Sequence, residues 1–232
     1  MKRKQIPQLM NQSWFPSLFS DFMMEFLTWF VNLVGAAKPF MPVIDAAMLS
    51  APRKHFINMD FQSGAGFETV APCLDASWTV SHIPLQAAGF SAGESGLYLS
   101  INNFHQLHPD DARSLLTKIS RIRNPVAILE GNNDSLWQIF GMTVIVPLTV
   151  ILSAPFVKPF RISRLLFTYV IPLLPCVTMI DGCLALMKLY SPADLRELTD
   201  SIDAPGKYIW ETGKKDNGRG GKIIYLTGRA EE

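Results

Sequence analysis

Apolar residues recur at steps of three and four positions along residues 19–34. They are Phe19, Phe22, Met23, Phe26, Leu27, Phe30 and Leu33. Steps of this size bring side chains onto one face of an α-helix, so the pattern predicts an amphipathic N-terminal helix. A shorter pattern near residues 42–49 predicts a second helix. We therefore expect residues 1–50 to form an N-terminal helical cap.

Short apolar runs bounded by turn residues follow, and they indicate β-strands. The four runs cover residues 56–60, 79–83, 97–102 and 126–130. Helical patterns separate them, including a helix start at Pro109 with acidic residues in its first turn. This alternation favours an α/β fold with a doubly wound, mainly parallel sheet. Two last runs, 208–212 and 222–227, flank a polar tip and predict a C-terminal antiparallel hairpin.

A long apolar block lies between the fourth run and the hairpin. Residues 136–157 contain no charged residue, and this length is enough to cross a bilayer. We predict two long helices, 136–154 and 165–189, which form an apolar insertion (residues 135–190) in an α/β domain of residues 51–232. Prolines 147, 172 and 175 are expected to kink these helices. Membrane association is predicted, and the sequence leaves open whether the block spans, lies on or is folded away from the membrane.

Charged residues inside and between these helices have two interpretations each. Lys158, Arg161 and Arg164 lie together in the connection, where they would meet anionic headgroups or simply face solvent between two core helices. Asp181 lies within the second apolar run, as a buried functional carboxylate or as the ion-pair partner of Arg161 or Arg164. Of these two we favour the ion pair.

The charge balance and the cysteines exclude several classes of function. The net charge of +1 comes from 21 basic and 20 acidic residues, which argues against a nucleic-acid partner. The three cysteines show no CxxC spacing and no histidine at ligand spacing, so neither a disulfide framework nor a metal site is indicated. Reduced thiols are typical of a cytoplasmic protein. We therefore expect a cytoplasmic, membrane-associated location.

A glycine-rich turn follows the first predicted strand, which ends at Asp60. Residues 63–66 read Ser-Gly-Ala-Gly, and backbone N–H groups in such a turn can approach a ligand because no Cβ intervenes. The segment 55–74 therefore reads as a strand, a tight turn and a helix start. This combination predicts a nucleotide-binding corner.

With these elements in order, the chain resembles the class I S-adenosylmethionine-dependent methyltransferases. More narrowly, it is similar to a group of small bacterial methyltransferase-like proteins that open with Trp-Phe-Pro. The residues that carry the resemblance are Trp14-Phe15-Pro16, the turn from Asp60 to Gly66, the strand end Asn102-Asn103-Phe104-His105-Gln106, Glu130 and the C-terminal hairpin. The resemblance implies a Rossmann-like fold and S-adenosylmethionine as cofactor. The residues it implies at the cofactor are Asp60, Ser63, Gly64, Gly66, His82 and Asn103.

Three departures from the family pattern concern the cofactor pocket. Gln62 stands where the pattern has a glycine, and its side chain is expected to crowd the cofactor. The second strand ends in His82-Ile83-Pro84, where the family has an acidic residue for the ribose hydroxyls. The stretch from His82 to Leu97 is too short for a helix, a third strand and a return helix. We therefore predict a reduced number of strands and a cut-down adenine side.

Candidate catalytic groups lie near the ends of two predicted strands. His105 and His108 lie where a substrate would meet the methyl group, and Glu130 ends the next strand, so His105 and Glu130 are candidates for an acid–base pair. Capping of a turn and of a helix N-terminus explains the same residues.

Two functions from different classes fit the sequence. One is a methyltransferase that acts on a small or lipid-like acceptor near the membrane. The alternative is a non-catalytic, membrane-associated protein of methyltransferase fold with an eroded cofactor pocket. Cofactor binding by the purified protein discriminates between them, because the second function predicts none.

Overall fold

The structure is a computed structural model of the full chain. It describes residues 6–60, 65–85, 93–132, 136–203, 206–218 and 221–231. Its contacts divide the chain into two compact units. The helical unit comprises Met1–Gly35 and Asp134–Leu189, and the sheet unit comprises Ala36–Asn133 and Tyr190–Glu232. The N-terminal helix is therefore grouped with the apolar block, whereas residues 36–50 are grouped with the sheet.

The described strands form one six-stranded sheet in the order β2-β1-β3-β4-β6-β5. They are β1 (His55–Asp60), β2 (Thr79–Pro84), β3 (Leu97–Ile101), β4 (Val126–Glu130), β5 (Tyr208–Asp216) and β6 (Lys222–Ala230). Strands β1 to β4 pair in parallel, and β6 pairs antiparallel with both β4 and β5. This confirms the predicted mainly parallel sheet with a C-terminal antiparallel hairpin.

Strand β2 is one edge of the described sheet. Its residues are exposed or half-buried, whereas β3 and β4 are buried throughout. The connection from β2 to β3 includes residues 86–92, which lie outside the described residues, and no strand is found in residues 93–96. Within the described chain the sheet therefore ends at β2, and the predicted reduction in strand number stays a prediction, because it concerns this connection.

Helices cover both faces of the sheet. The described helices of the whole chain are α1 (Ser17–Val34), α2 (Met41–Met48), α3 (Ala65–Val70), α4 (Pro109–Arg121), α5 (Leu136–Phe140), α6 (Val146–Ser153), α7 (Ile162–Leu165), α8 (Leu173–Lys188) and α9 (Pro192–Asp200). Of these, α2, α3, α4 and α9 belong to the sheet unit. Residues of α2 and α3 pack with one face and residues of α4 and α9 with the other. Successive strand side chains point to opposite faces, so Phe56 and Ile57 belong to different cores.

Local sequence explains the helices on the second face. Helix α4 starts with Pro109 and carries Asp110 and Asp111 in its first turn, where acidic groups favour the helix dipole. Helix α9 starts with a capping box, in which the Ser191 hydroxyl accepts from the Asp194 N–H and the Asp194 carboxylate accepts from the Ser191 N–H. Helix α4 begins where the sequence predicts it.

The N-terminal helix anchors the core of the helical unit. Helix α1 buries Phe22, Met23 and Phe26, as its period predicts, and these pack with Val150 and Leu174. It ends at Gly35, which has a φ of 56°, and the Gly35 N–H donates to the Asn32 carbonyl at 3.1 Å. A side chain in this left-handed conformation would be strained, so glycine suits the helix end.

The two halves of the apolar block differ from the predicted pair of long helices. The first half runs through α5, a π-turn at Gly141–Ile145 and α6, and the turn accommodates Pro147, which has no N–H to donate. The second half is bent by 83° between Ile162–Val170 and Leu173–Lys188, so the prediction of one kinked helix over 165–189 is wrong. Pro172 explains the break, because it forces Ile171 out of the helical conformation (φ −120°, ψ 89°). No single described helix is both long and apolar enough to cross a membrane, and only this bent pair meets both criteria jointly.

The prediction that Asp181 pairs with Arg161 or Arg164 is also wrong. Arg164 is buried and Arg161 is half-exposed, and both contact Glu25 of α1, with N–O distances of 2.7 Å each. Arg164 also donates to the carbonyls of Ala154, Val157 and Pro159. Burial lowers the pKa of Arg164, while the Glu25 carboxylate acts in the opposite direction. Two of the three basic residues in the connection are therefore engaged by an internal carboxylate.

Asp181 joins α8 to the N-terminal segment. Its carboxylate accepts from the Gln8 side-chain amide at 3.2 Å and from the Met10 N–H at 3.2 Å. Burial raises the pKa of Asp181, and these donated hydrogen bonds oppose the rise. Asp181 is thus satisfied by neutral donors rather than by an arginine.

Candidate functional site

The carboxyl ends of β1, β2, β3 and β4 meet at one edge of the sheet, because the four strands are parallel. We call this the carboxyl edge. Open α/β sheets hold their ligands at this edge. The predicted site residues lie on its strands or just beyond them, except Ser63 and Gly64, which fall outside the described residues.

Asp60 is the last residue of β1 and is buried. Its backbone carbonyl accepts from the Leu85 N–H at 2.8 Å, which ties the end of β1 to the residue that follows β2. Helix α3 starts at Ala65, so a strand and a helix follow in the predicted order, while residues 61–64, with the predicted crowding by Gln62, lie outside the described residues.

Gly66 lies against the end of β3 rather than open space. A Cβ added to Gly66 would lie 1.9 Å from the Ile101 carbonyl oxygen and 3.0 Å from Nδ2 of Asn103. The first distance leaves no room for a methyl group beside the main-chain oxygen, and the second would require the Asn103 side chain to shift. The absence of a side chain at Gly66 therefore permits close packing of α3 on β3, one of the roles that glycines have in such turns.

Two consecutive asparagines, Asn102 and Asn103, follow β3 and form hydrogen bonds at its end. Asn102 has a φ of 55°, a left-handed conformation that asparagine tolerates, and its side-chain oxygen accepts from the Gly131 N–H at 2.7 Å. Buried Asn103 donates its Nδ2 to the Ile101 carbonyl at 2.9 Å. The predicted site residue Asn103 thus serves the local backbone, while Asn102 links the ends of β3 and β4. For Asn102 no role was predicted beyond ending the strand.

The predicted acid–base residues contact each other. Oε1 of Glu130 accepts from the His105 backbone N–H, and Oε2 lies near His105 Nδ1, both at 3.0 Å. A carboxylate only accepts, so Nδ1 carries the proton. Both side chains are less than one-tenth exposed. This geometry holds the turn at Phe104–Gln106 against the end of β4, whereas His108 is exposed and lies 3.5 Å from Asp110 at the start of α4.

His82 lies on the edge strand and not at its last residue. It is opposite Asn58 in the register of β1 and β2, and its Nδ1 accepts from the Asn58 side-chain amide at 3.1 Å. The imidazole packs edge-on against Phe67, with ring centres 5.7 Å apart. The strand itself ends with Ile83 and Pro84, neither of which can accept a hydrogen bond from ribose through its side chain.

These contacts bear on the fit of S-adenosylmethionine, which the resemblance implies at this edge. Asn103 and the Glu130 carboxylate are engaged internally, and the described end of β2 supplies no acid for the ribose hydroxyls. The turn after Asp60, which would hold the methionine part, includes residues outside the described part of the chain. The described residues of the carboxyl edge therefore do not fit this cofactor.

Comparison with known proteins adds no assignment. No protein-family model matches the sequence, and no curated protein matches it either. Among the described residues, no group of three or more His, Cys, Asp or Glu side chains is placed to hold a metal ion. The sites and surfaces of this chain are therefore what indicates its function.

Proposed function

We propose that this chain is a membrane-associated protein of methyltransferase fold, that its helical unit docks on the lipid surface, and that its cofactor pocket is eroded. The observation that carries the docking is the distribution of exposed apolar side chains. Among the described residues, all of the exposed large apolar side chains except Leu49, Val80 and Ile209 belong to the helical unit. Exposed apolar residues in such number are characteristic of interaction surfaces.

Four strongly exposed members of this surface lie from the end of α6 to the start of α7. They are Leu152, Phe156, Phe160 and Ile162, which are 73%, 69%, 62% and 77% exposed. We call these four residues the apolar tip. Aromatic and aliphatic side chains beside a basic residue suit the boundary between headgroups and acyl chains, and Lys158 is exposed within the same segment. A lipid surface is the partner that this chemistry favours.

Electrostatic attraction contributes little to this docking. A free basic residue near an anionic surface contributes about 1 kcal/mol. Arg161 and Arg164, however, already contact Glu25. Burial of each large apolar side chain contributes about 1.5–3 kcal/mol. Binding should therefore depend on apolar insertion more than on anionic lipid, so neutral and anionic vesicles should bind similarly.

Vesicle flotation tests the docking. We expect the wild-type protein to float with neutral phosphatidylcholine vesicles, and the double variant Phe156→Asp/Ile162→Asp to remain unbound, because inserting two carboxylates into the acyl region is costly. Leu49→Asp is the matched control, since Leu49 is 90% exposed but lies in the sheet unit. It should float like wild type. Equal flotation of the tip variant, or a wild-type protein that forms a dimer and does not float, would contradict the docking.

Two observations support the proposal that the cofactor pocket is eroded. Asn103 and Glu130 are engaged in internal contacts, and the end of β2 has no acidic residue. Calorimetric titration of the purified protein with S-adenosylmethionine, and with its demethylated product, should give no saturable heat. Saturable binding with one site per chain would instead favour the second candidate function, a methyltransferase for a lipid-like acceptor. Two features support that candidate. Asp60 lies at the end of β1, and β5 and β6 form the C-terminal antiparallel hairpin that the methyltransferase resemblance implies.

A further inference from the structure

A polar cluster lies at the amino ends of β1 and β2, at the opposite end of these strands from the carboxyl edge. A depression of about 670 Å³ opens there, and its lining includes His55, Thr79 and Glu94 together with the basic residues Arg53 and Lys54. These residues belong to the sheet unit and take no part in the carboxyl edge. The cluster is therefore a separate candidate site.

The three side chains form a hydrogen-bonded chain. Thr79 is opposite His55 in the register of β1 and β2, and its Oγ1 lies 2.7 Å from His55 Nδ1. On the other side of the imidazole, Nε2 lies 3.1 Å from Oε2 of Glu94 and 3.0 Å from the Ser81 hydroxyl oxygen. A carboxylate only accepts, so Nε2 donates and Nδ1 is free to accept from the Thr79 hydroxyl. A hydroxyl, an imidazole and a carboxylate are thus arranged as nucleophile, base and orienting group.

Glu94 is held in place from both its side chain and its backbone. The Ser81 hydroxyl donates to the same Glu94 oxygen at 2.6 Å. The Glu94 backbone carbonyl accepts from the Tyr98 hydroxyl at 3.1 Å and from the Asn124 side chain at 2.9 Å. Hydrogen bonds from Ser81 and His55 lower the pKa of Glu94, which keeps it a carboxylate. The orienting group is therefore fixed before any ligand arrives.

We propose that Thr79, His55 and Glu94 form a hydrolytic site for an ester that carries a negative charge. Thr79 is exposed, so its oxygen is accessible to a substrate. Arg53 and Lys54 are exposed in the same depression and would attract the anionic group.

The reaction is ordinary acyl transfer to a hydroxyl. Thr79 Oγ1 attacks the ester carbonyl carbon while His55 Nδ1 takes the hydroxyl proton. The bond to the leaving alcohol breaks, and His55 returns the proton to that oxygen. Water then attacks the acyl-threonine, losing a proton to His55, which passes it to the departing Thr79 oxygen. The products are the alcohol and the carboxylic acid, and Glu94 stabilises the transient imidazolium as a positioning residue.

Chromogenic esters test the site on the full chain. We expect wild-type protein to hydrolyse p-nitrophenyl succinate, which carries a carboxylate, faster than p-nitrophenyl acetate. Thr79→Val should lower kcat/KM by about 100-fold or more, and Thr79→Ser should retain activity. Glu94→Gln should lower kcat without raising KM, because Glu94 acts through His55. Lys54→Gln should reduce turnover of the succinate ester but not of the acetate.

Two further measurements separate catalysis from a purely structural network. Val80→Thr changes the opposite face of β2 and should leave both activity and the unfolding midpoint unchanged. Acid quenching followed by mass spectrometry should find the succinyl group on Thr79. Wild-type turnover no faster than that of folded Thr79→Val, or no acyl group on Thr79, would overturn the proposal. Neither measurement depends on membrane docking or on S-adenosylmethionine.

Discussion

Gly66→Ala is expected to destabilise the sheet unit strongly. The new Cβ would lie 1.9 Å from the Ile101 carbonyl oxygen and 2.9 Å from its carbonyl carbon, so α3 and β3 would have to separate. Overpacking of this kind costs about 3 kcal/mol or more when main-chain atoms must move. Alanine gains only about 1 kcal/mol over glycine in helix propensity, so the clash should dominate. Urea unfolding followed by circular dichroism measures the change.

The matched control is Gly93→Ala. Among the described residues, nothing lies within 4 Å of a Cβ at Gly93, so we expect a change of less than about 0.5 kcal/mol there. If Gly66→Ala unfolds at the same urea concentration as wild type, the packing role of Gly66 is wrong. Close approach of a ligand would then have to explain why residue 66 is a glycine. Cofactor titration of the folded Gly66→Ala variant would become the decisive measurement.

Glu25→Gln should destabilise the helical unit by about 3 kcal/mol or more, because it leaves the buried Arg164 without a counter-charge. Arg164 is 1% exposed, and arginine does not neutralise itself by losing a proton. The half-exposed Arg161 would then also repel it. Amide hydrogen exchange in α1 and α8 reports on this unit separately from the sheet, so the expected result is loss of protection in these two helices.

Asp21→Asn is the control for this prediction. Asp21 is exposed and lies one helical turn before Glu25, so its neutralisation should change protection little. The double variant Glu25→Leu/Arg164→Met removes the buried pair entirely and should recover much of the lost stability, because the cost arises from an unpaired charge. Unchanged protection in Glu25→Gln would show that the carbonyls of Ala154, Val157 and Pro159 satisfy Arg164 by themselves.

The sequence alone determined most of the sheet unit. Strands β3 and β4 are buried on both faces, so each is a short apolar run that a composition pattern detects. Helices α4 and α9 carry their own start signals, at Pro109 and Ser191, because caps act within one turn of the chain. Features that depend only on neighbouring residues were therefore predictable, including the edge of the sheet where the carried-over site residues lie.

The roles of those residues were decided by contacts between distant parts of the chain. Glu25, and not Asp181, pairs with Arg164, although both acids lie in apolar segments and the sequence cannot rank them. The cluster of His55, Thr79 and Glu94 likewise depends on the register of β1 and β2 and on the connection that leads into β3. Strand register and long-range pairing depend on how entire sheet and helix faces pack together. A local sequence pattern does not determine them. The sequence therefore determined where the elements lie, and the tertiary structure decided which charges and hydroxyls meet.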